Sequence, residues 1–132
     1  MSNSRIIKLN RLREFVDELI EIIEKIIHRI NITEDSGITL GHISAIKLYL
    51  MSITDEELFK LIIKNIEKYE VGIKNNDTLI MRSYIIEIFK INDKICQSIV
   101  HIIDEELLSS DEKKHIFLLL TRIINISKIC II

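Results

Sequence analysis

The 132-residue chain contains no proline and no tryptophan, only three glycines and only two cysteines. Missing proline and scarce glycine remove the punctuation that a turn-rich β sandwich needs. No two of Gly37, Gly41 and Gly72 lie closer than four residues, so a glycine loop that cradles phosphate is absent. Cys96 and Cys130 have no metal-ligand spacing and are too few for a disulfide framework. An excess of one charge is missing too. Net charge is −2, and residues 1–66 and 67–132 each carry nine basic and ten acidic groups. This even spread gives no basic face, and no nucleic-acid partner is expected. Uncharged runs are short: the longest, Ser36 to Ile46, has 11 residues. A bilayer needs about 18, so no membrane span is expected. Reduced cysteines without a recognisable leader fit a cytoplasmic setting.

What the chain does have is isoleucine, 33 of them, within 48% hydrophobic residues. That supply is enough for one packed core, so residues 1–132 are expected to form a single all-α domain. Leu12, Phe15, Val16, Leu19, Ile22, Ile23, Ile26, Ile27 and Ile30 recur at helical spacing and predict a long first helix over 5–31. Residues 31–40 read as a loop, and a short helix is expected from Gly41 to Ser52. Thr54-Asp55-Glu56-Glu57 has the pattern of a capping box and opens a helix to about Tyr69. Residues 70–77 read as a second loop, with Asp77 or Asn76 as the next N-cap. A further helix is expected from 78 to about 107, with a break at Asn92-Asp93. Ser109-Ser110-Asp111-Glu112 is a second capping box before a last helix faced by Ile116, Leu119, Leu120, Ile123 and Ile124. The sum is a compact bundle of five to seven helices, with residues 79–91 expected to be buried on most sides. Ile-rich faces on the first and last helices leave a homodimer open.

The chemistry-bearing clusters point to no catalysis. Glu24 with His28, and His101 with Glu105, are i,i+4 pairs, yet a structural zinc site needs about four ligands. The acids at Asp55-Glu56-Glu57 and Asp111-Glu112 sit in first helical turns, where the helix dipole favours them. No nucleophile-elbow pattern occurs. The expectation is a binding protein, not an enzyme, without cofactor or metal. Leu12 to Leu19, with Asp17, has the shape of a helix that binds a groove, a shape core packing also produces.

One stretch carries a resemblance. Asn76-Asp77-Thr78-Leu79-Ile80-Met81-Arg82-Ser83-Tyr84-Ile85-Ile86-Glu87-Ile88-Phe89 is similar to the start of the central helix of Bcl-2-like proteins, especially divergent poxvirus ones. That family places an Arg near the N-terminus of a nearly all-apolar helix, the place held here by Arg82. The order of helices, with Gln97-Ser98-Ile99 leading into the final third, is similar as well. The Trp-Gly dipeptide that precedes the family's Arg is absent; Ile80-Met81 stand there. The resemblance implies a host-protein antagonist. One mode is capture of a pro-apoptotic BH3 helix, with Arg82 pairing the ligand's Asp and Ile85 and Phe89 contributing to an apolar groove. The other is a block on innate immune signalling such as NF-κB activation. A second resemblance competes. Glu67–Ile73 with Met81–Ile88 is similar to the wing of MarR-like winged-helix regulators, which implies β structure over 71–91 and a degenerate transcriptional regulator.

Overall fold

A computed structural model describes residues 2–30, 34–89 and 108–131, and all secondary structure among them is helical. Among the described residues there are six helices: α1 Ser2–Ile30, α2 Glu34–Ser52, α3 Asp55–Ile63, α4 Ile66–Lys74, α5 Thr78–Ile88 and α6 Ser110–Ile131. No strand occurs among the described residues, so the wing expected over 71–91 is not found: its described part is the end of α4 and all of α5.

α1 follows its apolar period. Leu9, Leu12, Val16, Leu19, Ile23 and Ile26 fall on one side and are buried. Each such side chain gains about 1.5–3 kcal/mol on burial, which offsets the modest helix propensity of β-branched isoleucine. The Leu12–Leu19 segment is therefore core packing. Its main partner is α6, whose Ile116, Leu119, Leu120, Ile123 and Ile124 are buried as the pattern predicts. Both helices also keep apolar side chains exposed, Ile6 and Ile7 on α1 and Leu118, Ile129 and Ile131 on α6. α2 and α3 also pack on α1, while α6 reaches α3 and α4. All these faces meet in one hydrophobic cluster.

The caps fall where the sequence indicates, though at α3 only the Thr54 half of the expected capping box forms. Thr54 Oγ1 accepts from the Glu57 amide at 3.1 Å and starts α3. Asp77 accepts from the amides of Leu79 and Ile80 and starts α5. At α6 the capping box is reciprocal: Glu112 donates its amide to Ser109 Oγ, and Ser109 donates its amide to Glu112 Oε1.

Four boundaries differ from expectation. α2 begins at Glu34, so the expected loop 31–40 is helix over its described part, with Gly37 and Gly41 inside it. The helix expected over 54–69 is interrupted, because Asn65 adopts the left-handed conformation (φ 60°) that asparagine tolerates better than most residues. The loop expected at 70–77 shrinks to 75–77. There Asn76 (φ 56°) closes α4: its amide donates to Ile73 O and that of Asp77 to Gly72 O, the paired bonds of a Schellman motif. The helix beginning at Thr78 runs to Ile88; the rest of the expected helix, with its break at Asn92-Asp93, lies outside the described residues.

α5 was expected to be buried on most sides. Over residues 79–89, Met81, Tyr84, Ile85, Ile88 and Phe89 are buried and Ile80, Arg82, Ile86 and Glu87 half-buried; Leu79 and Ser83 are exposed. The principal described neighbours of α5 are α4 and α3. Gly72 permits the α4–α5 approach. A Cβ there would lie 2.3 Å from Ile80 Cγ2, closer than real contacts allow. Tyr69 and Tyr84 stack with centroids 4.8 Å apart, and Tyr84 Oη donates to Ile62 O at 2.9 Å. That bond satisfies a carbonyl at the open end of α3.

Candidate functional site

The three residues singled out for partner binding lie on α5 and do not share a surface. Ile85 is 0% exposed and Phe89 1%, both inside the core, so a partner cannot touch them while the core stays closed. Their apolar spacing faces inward because the buried side of α5 uses the same period that a groove wall would. Arg82 is half-buried at the margin of that face, and makes no hydrogen bond or ion pair among the described residues.

The other sequence candidates separate similarly. Glu24 is paired with Lys47 at 3.0 Å, and His28 is exposed. Among the described residues no three His, Cys, Asp or Glu side chains gather closely enough to hold a metal ion. His101, Glu105 and Cys96 lie outside the described residues. Asp55, Glu56 and Asp111 serve as first-turn acids of α3 and α6.

A different surface stands out. α2 buries Ile43, Ile46 and Leu50 against α1, at spacings of three and four that line one helix face. Its exposed residues from Gly41 to Met51 are Gly41, Ser44, Ala45, Leu48, Tyr49 and Met51. None carries a charge. Leu48 is 68% and Met51 77% exposed. The one charge on this part of α2, Lys47, turns aside to Glu24. The patch carries a methionine and an aromatic, residue types enriched at interfaces, and lacks the charges that interface cores exclude.

Beside this patch the α1–α2 side of the molecule opens into two depressions that share Asp17 and Met51. One, about 470 Å³, is lined by Arg13, Asp17, Met51, Ile53, Thr54 and Asp55. The other, about 290 Å³, is lined by Asp17, Ile20, Glu21, Lys47, Leu50 and Met51. Arg13 organises the first. Its guanidinium pairs with Asp55 and donates to Leu50 O at 2.7 Å and Ile53 O at 2.8 Å, stapling α1 to the α2–α3 junction. The positive charges of Arg13 and Lys47 are thus matched by Asp55 and Glu24. Asp17 and Glu21 have no ion-pair partner among the described residues. Burial raises the Asp17 carboxyl above its ordinary value; Arg13 pulls it down, and Glu21 and Asp55 push it further up.

Two local signals in the sequence mark this surface. Residues 14–24 carry five acids and no base, after four bases and no acid over 5–13. Counting charge by halves of the chain averages that contrast away. Between Asp35 and Asp55 only Lys47 is charged, yet α2 is too long for one buried face to use all its apolar residues.

No protein-family model matches this chain, and neither does any curated protein or solved structure. None of the described helices is long and apolar enough to cross a membrane.

Proposed function

We propose that this chain is a helical protein-interaction module of the viral Bcl-2-like kind, antagonising a host protein of apoptosis or innate immune signalling in the host cytoplasm. The observation that carries the interaction reading is the uncharged outer face of α2, with Leu48 and Met51 each more than two-thirds exposed. Side chains of that size are left in water at a cost of about 25 cal/mol per Å² of apolar surface, which a bound partner removes. Support for the Bcl-2-like part comes from the order of helices and from Arg82, one turn into a helix capped by Asp77.

The test is cellular. The full chain is expressed beside an NF-κB-driven reporter and, separately, under an apoptotic stimulus with caspase activity as readout. The chain is expected to suppress one of the two, and the double variant Leu48→Glu/Met51→Glu to lose that suppression while keeping its helical circular dichroism. Calorimetry against BH3 peptides then separates the modes: binding that Arg82→Glu weakens assigns apoptosis. If neither output falls, or if the folded double variant suppresses as well as the parent, the reading is wrong.

A further inference from the structure

The α2 face identifies a surface but not what it takes, and the charges beside it narrow the choice. Along the α1–α2 groove the fold neutralises both cations, Arg13 with Asp55 and Lys47 with Glu24. It leaves Asp17 and Glu21 outside any ion pair among the described residues, with Arg13 still drawing on Asp17. The two acids are separated by one turn of α1 and are exposed beside buried Ile20 and Leu50 and the exposed Met51. Carboxylates at the margin of apolar carbon suit a ligand that brings a cation together with an apolar neighbour. A channel between two helices suits a third helix, which brings its apolar face and flanking charges together at i, i+3 and i+4.

We propose that the α1–α2 groove receives an amphipathic helix of a partner protein, seating an aliphatic side chain on Leu50 and Met51 and a Lys or Arg against Asp17 and Glu21. This rests on the interaction reading and adds the partner's chemistry: apolar on one side, basic at its margin. An acidic helix is disfavoured in this groove by the negative charges of Asp17 and Glu21.

The probes are two synthetic helical peptides with the same leucine stripe, flanked in one by lysines and in the other by glutamates. Fluorescence anisotropy with the full chain, at low and high salt, gives the affinities. The Leu/Lys peptide is expected to bind about tenfold or more tightly than the Leu/Glu peptide, with salt reducing the gap, as charged hydrogen bonds of ordinary strength imply. Asp17→Asn/Glu21→Gln removes the preference, and Met51→Ser weakens the Leu/Lys peptide. Glu67→Gln, on an exposed residue of α4, changes neither. Equal binding of the two peptides, or a preference unchanged by Asp17→Asn/Glu21→Gln, overturns the proposal. So does a dimer by light scattering that Met51→Ser converts to monomer, since a second copy then fills the groove. If the peptide preference fails while Leu48→Glu/Met51→Glu still abolishes suppression in cells, only the basic-helix chemistry is lost. If both fail, the interaction reading falls with it.

Discussion

The α4–α5 hairpin and α2 both leave large apolar side chains exposed, yet their polar atoms are used in opposite ways. The hairpin directs its specific contacts inward. Gly72 lets Ile80 against α4, Tyr69 and Tyr84 stack, Tyr84 bonds the end of α3, and Glu70 draws in Lys74 at 3.0 Å and Lys128 of α6 at 2.7 Å. α2 has Lys47 tied to Glu24 and its terminal carbonyls held by Arg13, but outward it offers carbon without charge. A hairpin built this way closes the fold. A helix left this way has surface to give to another molecule. Apolar content is high in both, so what separates the regions is where their polar atoms are used.

The largest expected effect lies in the hairpin. Gly72→Ala forces a methyl group into Ile80, and urea denaturation is expected to show a loss of about 1–3 kcal/mol, the usual range for overpacking. Adding Ile80→Ala should recover part of it, which a simple loss of helix end structure would not. Next, Tyr84→Phe keeps the stack but leaves Ile62 O without its donor, for a loss of about 1–2 kcal/mol by the same measurement. On the other side, Leu48→Glu/Met51→Glu should alter stability by no more than about 0.5 kcal/mol, as ordinary surface changes do. A loss as large as that of the hairpin variants would make the α2 face structural and erase the contrast.

The smallest effect is in pH dependence, and it has opposite signs in the two regions. Hydrogen bonds from Lys128 and Lys74 hold the Glu70 carboxyl below its ordinary value. Its contribution is present above the unfolded pKa, about 4.3, and disappears as pH falls through the lower folded value. The Asp17 carboxyl is raised, chiefly by burial. It therefore contributes fully below its unfolded pKa, about 3.9, and that contribution is lost as pH rises through the higher folded value. Acid titration of stability should lose its Glu70 component in Lys128→Ala and its Asp17 component in Asp17→Asn.

Features set by neighbours along the chain were legible in the sequence. Thr54, Asp77 and Ser109 bond amides two or three residues away, so their motifs specify the caps directly. The buried stripes of α1 and α6 were legible because a regular period needs only a core to face. The Asn65 break and the placing of Gly72 were not, since one is a single backbone rotation and the other answers to Ile80 across the hairpin. How far each side of α5 is buried depends on which helices surround it, which its own residues do not encode. Ile85 and Phe89 illustrate the ambiguity: the same spacing serves a groove or a core, and here it serves a core. The α2 surface was obscured for a related reason, because its apolar residues look alike until the three that meet α1 are known.

With no tryptophan, the chain's near-ultraviolet signal comes from three tyrosines, and the fold distributes them between the two regions. Tyr69 and Tyr84 form the stacked, buried pair of the hairpin, while Tyr49 stands 39% exposed on α2. Each region thus has its own built-in optical label. Iodide should quench Tyr49 in the folded protein and spare the pair. Occupation of the α2 surface should then register as protection of Tyr49, and opening of the hairpin as loss of the stacked signal, without any dye on the protein.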